Sequence, residues 1–162
     1  MVIVPVHIKT KSKVTLTLGD DMNSKEMLTS VLHTVQMGQS GIKCVKDQAV
    51  RPALKRQLEK QLTEYDAMES KARQLAKAHK WQIRDINPGI LKMSDMMAKA
   101  KLLGGERDSK IAGMMIQGNT RGMIQGLKNL RQGKAVSQDV QDLTQKLIEF
   151  ERTGIEDSKP YL

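Results

Sequence analysis

The sequence predicts an all-α protein, and three observations carry this prediction. Only four of the 162 residues are aromatic, against eleven methionines, so the core is built from the aliphatic residues that favour helices over strands. Apolar residues recur at three- and four-residue spacing in several long segments. Helix-starting and helix-ending residues stand between those segments. We therefore expect an antiparallel bundle of four long helices with one extra short helix.

The predicted helices cover residues 24–47, 51–81, 88–103, 108–132 and 137–158. Asn23 and Glu26 form a capping-box pattern at the first helix, and Asn87 caps the short third helix. Gly133 ends the fourth helix, and Ser137 is expected to cap the last one. Together these helices make one domain, residues 23–162.

The segment before the first helix has a different pattern. Alternating apolar residues at Val2, Val4, Val6 and Ile8 indicate a strand, whereas Pro5 is unfavourable inside a sheet. We expect residues 1–22 to form an extended N-terminal arm or an edge hairpin.

Charge and cysteine content indicate the environment of the protein. The net charge is +9, and Cys44 is the single cysteine, so an internal disulfide is excluded and a reducing compartment fits best. The N-terminus lacks the features of a signal peptide, and there is no run of 18 apolar residues. We expect a cytoplasmic protein with no membrane insertion.

The fourth predicted helix carries glycines in its interior. Gly118, Gly122 and Gly126 fall in one sector of this helix, and each costs up to about 1 kcal/mol relative to alanine. Such a line of glycines predicts that a neighbouring helix backbone comes close, within the bundle or across a dimer.

Four polar residues fall on or beside the apolar faces of the long helices. Asn119 and Glu151 lie at comparable distances before and after the turn that starts at Gly133, so they should meet in an antiparallel hairpin. Gln39 and Glu69 occupy comparable places on the first two helices. Because buried polar groups need partners, we predict a polar core made of these four residues.

This arrangement resembles the ferritin-like superfamily, whose di-metal members place a carboxylate on two helices and Glu-x-x-His on the other two. Here Gln39 and Asn119 are amides, and neither Glu69 nor Glu151 has a histidine three residues later. The stretches LLGGERDSKIAGMMIQGNTRGMI and KPYL are similar to uncharacterised ferritin-like proteins of anaerobic Gram-positive bacteria. The resemblance implies a degenerate metal site with no cofactor, in which the polar residues form a hydrogen-bond network.

No catalytic motif appears: there is no G-x-S-x-G, no HExxH and no CxxC. We therefore expect a non-catalytic structural or interaction protein, as a homodimer. The first alternative is a metal-handling protein that uses Glu69 and Glu151, with Tyr65 as a further candidate ligand.

A separate group could bind a soft metal. His33, Met37 and Cys44 share one side of the first helix, but Met37 and Cys44 are about 10 Å apart along its axis. We interpret this side as a contact surface for a second subunit or for the N-terminal arm.

The second alternative is a polyanion binder. A basic helix face is formed by Lys71, Arg73, Lys77, Lys80 and Arg84. Few aromatic residues are available to stack on bases, so a solvated helix surface is favoured over a nucleic-acid partner.

Overall fold

The computed structural model describes residues 22–162, and there it confirms the all-α prediction. The helices are α1 (Ser24–Val45), α2 (Pro52–Ala78), α3 (Pro88–Lys101), α4 (Arg107–Gln132) and α5 (Gln138–Ser158). Single 3-10 turns, Lys46–Gln48 and Lys159–Tyr161, follow α1 and α5. The predicted helix ends agree with these to within three residues. The predicted N-terminal arm lies outside the described residues, apart from Met22, which forms an isolated bridge with Gly133.

Local hydrogen bonds explain where several helices begin. Asn23 and Glu26 form the predicted capping box, with both backbone-to-side-chain distances at 2.9 Å. Asn87 accepts a 2.8 Å bond from the backbone N–H of Gly89. Ser137 takes the N-cap position of α5 as predicted, but its side chain makes no capping hydrogen bond. Its backbone N–H instead donates to the hydroxyl of Ser24, which ties α5 to the start of α1.

The last two long helices form an antiparallel hairpin. Gly126 of α4 faces Ile148 of α5, and Asn119, earlier on α4, faces Gly154, later on α5. Close contact extends along both helices because small and large residues alternate across the interface. The buried face of α5 places Val140, Leu143 and Leu147 in the core.

Two further pairs, α2 with α5 and α1 with α4, are antiparallel as well. Early α2 meets late α5 and late α2 meets early α5, since Gln57 contacts Ser158 and His79 contacts Asp139. Helices α1 and α4 are also antiparallel, because Ser30 near the start of α1 contacts Asn129 near the end of α4. Because α2 and α4 both oppose α5, these two helices point the same way.

Because α2 and α4 are parallel, the end of α2 and the start of α4 lie at opposite ends of the bundle. The connection between them must therefore run back along the length of the molecule. Residues 79–106 make this return, and α3 lies within them against α1. Arg84 contacts His33 near the middle of α1, and Asp95 contacts Ser40 further along. The return segment thus covers one side of α1. Asp108, in the first turn of α4 just after this segment, accepts hydrogen bonds from the backbone at the start of α2.

The glycines of α4 make room for side chains, and this corrects the predicted close approach of two backbones. A Cβ on Gly122 would lie 2.7 Å from Oε1 of Glu151, and one on Gly126 would lie 2.5 Å from Ile148. Gly118 is exposed and a Cβ there would meet nothing within 4 Å, so the packing role predicted for it within the chain is wrong.

None of the helices in residues 22–162 combines the length and the apolar character that crossing a bilayer requires.

Candidate functional site

The interior contains a polar cluster formed by Gln61 and Tyr65 of α2, Asn119 of α4 and Glu151 of α5. The Tyr65 hydroxyl donates a 2.9 Å hydrogen bond to Oε1 of Glu151 and lies 3.5 Å from Oδ1 of Asn119. Tyr65 and Glu151 are each 1% exposed. Three helices therefore meet at one phenol oxygen. Asn119 and Glu151, which the sequence placed opposite each other, both contact this oxygen.

Glycines on three helices leave the space that this cluster occupies. A Cβ on Gly38 of α1 would overlap the ring of Tyr65, and one on Gly154 of α5 would overlap the amide of Asn119. On α4, a Cβ at Gly122 would touch the Glu151 carboxyl group. The helices accept the conformational cost of glycine because large polar side chains fill the gaps.

Burial controls the charge of this cluster. It raises the pKa of Glu151 to about 8, although the hydrogen bond from Tyr65 acts in the opposite direction. Burial, followed by the neighbouring Glu151 carboxylate, raises the pKa of Tyr65 well above its ordinary value. Near pH 7 both groups are mostly neutral, and this neutrality is what allows a carboxyl group to remain in an apolar interior.

Some buried polar atoms of the cluster have no hydrogen-bond partner among the described residues. Within residues 22–162, Oε2 of Glu151 and both amide atoms of Gln61 are buried without a hydrogen-bond partner. Gln61 is 5% exposed, and its Nε2 would lie 3.6 Å from a Cβ on Gly154. Sequence reasoning missed Gln61, Gly38 and Gly154 as members of this site. The sequence signal for Gly38 and Gly154 was that each is a glycine in the interior of a predicted helix.

The predicted polar core of four residues divides into two groups. Gln39 of α1 donates 2.8 Å hydrogen bonds to Asp66 and Glu69 of α2, and Glu69 also accepts from Arg73. Burial would raise the pKa of Glu69, but the hydrogen bonds from Gln39 and Arg73 hold it below its usual range. Glu69 is therefore an ionised, partly exposed side chain with its own partners, whereas Glu151 is buried and neutral.

These donors do not fit a di-metal centre of the kind that the di-metal ferritin-like proteins hold. No group of three or more His, Cys, Asp and Glu side chains suited to a metal ion occurs in the described part of the chain. Glu151 is the one carboxyl group in the buried cluster; its neighbours there are a phenol and two amides. Iron and manganese require anionic and imidazole ligands, so the cluster lacks the ligand charge of such a centre.

The side chains proposed for a soft metal instead hold the return segment. The ring Nε2 of His33 is 2.8 Å from the carbonyl oxygen of Arg84, so Nε2 carries the proton, because a carbonyl only accepts. Cys44 donates to the carbonyl of Asp95 at 3.6 Å, and burial raises the pKa of its thiol. Met37 lines a surface pocket with His33. The cover over this side of α1 includes residues 84–95 of the same chain, which the sequence did not predict.

The predicted basic face is only partly continuous. Arg73, Lys77 and Arg84 border one shallow pocket of about 560 Å³, together with Lys25 of α1 and the ring of Trp81. Lys71 and Lys80 do not border it. Arg73 also donates a 2.7 Å hydrogen bond to Asp85, whose pKa this bond and one from Gln36 hold below its usual range.

No protein-family model, no curated protein and no solved structure matches this chain.

Proposed function

We propose that this chain is a non-catalytic, ferritin-like four-helix bundle that serves as a structural or interaction protein. Ferritin-like folds connect the two helix hairpins by one long crossover. The parallel directions of α2 and α4, and the return of residues 79–106 along α1, support that assignment. The polar cluster joins three of the four long helices in the interior, which also supports a bundle with a polar core.

The hydrogen bond between Tyr65 and Glu151 carries this proposal. The carboxyl group of Glu151 is bonded to a phenol, and no second carboxyl group or imidazole joins it in the described cluster, whereas a di-metal site needs several such ligands. The same bond joins α2 to α5, and Asn119 adds α4. A buried polar contact between three helices can specify their register, which is a structural role.

Access to the cluster supports a non-catalytic role. Tyr65 and Glu151 are each 1% exposed, so a substrate would reach them only after the helices separate. The homodimer and the cytoplasmic location expected from the sequence are part of the same proposal. Sedimentation equilibrium of the purified chain tests the homodimer directly.

Metal analysis combined with one isosteric substitution tests the proposal against a metal-handling role. The untagged chain would be produced in medium supplied with iron and manganese, and the metal content per chain would be measured beside Glu151→Gln. We expect much less than one metal per chain in both proteins and a similar melting temperature at pH 6. Near-stoichiometric iron or manganese that Glu151→Gln abolishes would contradict the proposal and establish Glu151 as a ligand.

One observation favours polyanion binding as a second candidate. Lys25, Lys77 and Arg84 border the same pocket as Trp81, so cationic groups and an aromatic ring are available together. The test is the affinity for random duplex DNA at low and moderate salt, in the wild type and in Lys77→Ala/Arg84→Ala. Lys128→Ala/Lys146→Ala removes two exposed lysines elsewhere and is the matched control. Loss of affinity only in the first variant supports this candidate, and undetectable binding at low salt rejects it.

A further inference from the structure

Helix α3 has an apolar outer face that the rest of the described chain leaves uncovered. None of its residues is fully buried. Met93 is 66% exposed, Met96 72% and Met97 56%, and Ile90 is 52% exposed. Large apolar side chains normally occur singly on a protein surface, so a group of four on one short helix indicates a contact surface.

The two sides of α3 have distinct roles. Asp95 faces α1 and accepts a 2.8 Å hydrogen bond from Ser40, and Ala98 packs against the core on the same side. At about 100° per residue, the opposite side is an apolar sector about 120° wide. We name this sector the α3 outer face, and it consists of Ile90, Met93, Met96, Met97 and Ala100.

Lysines border the α3 outer face on both sides. Lys92 and Lys99 lie along one edge and Lys101 lies along the other, and all three are exposed. The helix's one acid, Asp95, points towards α1. Long lysine side chains at such an edge lay their methylenes on apolar surface and extend the ammonium group to an anionic layer. The face therefore presents apolar contact in its centre and positive charge at its borders.

Charge argues against a second copy of this face as its occupant. Two α3 helices packed face to face would bring the bordering lysines of both copies together, and the whole chain carries a net charge of +9. An anionic surface complements both the lysines and the net charge. The face lies on one exposed helix with no buried residue, whereas peptide helices dock into grooves. A flat lipid surface suits such a face.

We propose that the α3 outer face docks on an anionic membrane surface, with Ile90, Met93 and Met97 among the outer acyl chains and the lysines at the phosphate level. This is peripheral binding by an interfacial amphipathic helix, not membrane insertion. The inference rests on the proposed function as an interaction protein and names its partner.

Co-sedimentation of the full chain with vesicles tests the inference. The vesicles contain equal parts of phosphatidylglycerol and phosphatidylcholine, and vesicles of phosphatidylcholine alone serve as the neutral comparison. We expect sedimentation with the anionic vesicles and little with the neutral ones. Met93→Gln/Met97→Gln should lower the partition coefficient about tenfold or more. Apolar contact with the interface drives this peripheral binding, and the variant loses that contact. Lys92→Gln/Lys99→Gln should lower it about tenfold.

Ile124→Gln/Leu127→Gln is the matched control, since it removes two exposed apolar residues from α4. We expect this variant to bind as the wild type does, and circular dichroism checks that each variant is folded. The proposal is overturned if the wild type co-sediments with neither kind of vesicle. It is also overturned if Met93→Gln/Met97→Gln has the partition coefficient of the wild type. It is also overturned if that variant only abolishes self-association, which would make the face a contact between copies. None of these outcomes alters the metal content that tests the proposed function, so the two can fail separately.

Discussion

The phenol of Tyr65 donates a 2.9 Å hydrogen bond to the carboxyl group of Glu151 across the interior, between α2 and α5. An ionised carboxyl group that is 1% exposed and has no partner would strongly destabilise the folded state. Protonation removes its charge, and the phenol supplies one hydrogen bond. The remaining oxygen, Oε2, has no partner within residues 22–162. The pair is therefore both a link between helices and a source of pH sensitivity.

Glu151→Gln should remove a pH dependence of stability. The folded pKa of Glu151 is raised from 4.5 to about 8, so the folded chain holds a proton that the unfolded chain releases. The stabilising effect of protonation is complete below the unfolded pKa and is lost as pH rises towards 8. The slope reaches at most about 1.4 kcal/mol per pH unit. Urea unfolding of both proteins from pH 5 to pH 8 measures it.

Glu149→Gln is the control for this prediction, because Glu149 lies on the same helix but its side chain is 62% exposed. Between pH 5 and pH 8 the control should retain the wild-type slope. Equal slopes in the wild type and in Glu151→Gln would show that Glu151 titrates normally in the folded state.

Tyr65→Phe should destabilise the protein by about 1–3 kcal/mol, because it leaves a buried acceptor on Glu151 without its donor. It should also raise the pKa of Glu151 further, since the bond from Tyr65 opposes the effect of burial. Chemical denaturation measures the first effect, and the pH dependence of unfolding measures the second. Tyr161→Phe, at the half-exposed C-terminal tyrosine, should change stability by less than about 0.5 kcal/mol. Equal effects of the two substitutions would show that the buried hydroxyl contributes nothing specific.

Two glycine-to-alanine substitutions should have opposite effects. Gly154→Ala places a methyl group against the Asn119 amide and should cost about 1–3 kcal/mol. Gly118→Ala meets open space and should stabilise α4 by up to about 1 kcal/mol. Thermal melts of both variants test the pair. A neutral Gly154→Ala would mean that Asn119 moves aside without cost and that the cluster is loosely held.

Asp108→Ala should destabilise the end of the molecule where α2 begins and α4 begins. Asp108 is 9% exposed and accepts backbone hydrogen bonds from Val50 at 2.7 Å and Arg51 at 3.0 Å. Removing a charged acceptor from two part-buried backbone donors should cost about 1–3 kcal/mol. Asp157→Ala, at an exposed position of α5, is the control. Amide hydrogen exchange should become faster at residues 50 and 51 in Asp108→Ala and stay unchanged in the control.

The local features of the fold were predictable because neighbouring residues produce them. The capping box at Asn23 and Glu26, and the apolar periodicity, depend on residues three and four apart. The meeting of Asn119 and Glu151 at the Tyr65 hydroxyl followed from their comparable distances to the turn that starts at Gly133. The prediction for Gly118 was wrong because a helical wheel shows which residues share a side of the helix. It does not show which part of that side a neighbouring helix covers.

By itself the sequence determined the helices, their approximate ends, the aliphatic core and the presence of polar residues on buried faces. Tertiary structure alone decided which polar residues share an environment. Gln39 and Glu69 pair near the surface, whereas Gln61, Tyr65, Asn119 and Glu151 meet inside. It also decided that the return segment covers His33 and that α3 exposes its methionines. The physical reason is that helix formation depends on local spacing, but burial, and with it the pKa of Glu151, depends on side chains brought together from distant parts of the chain.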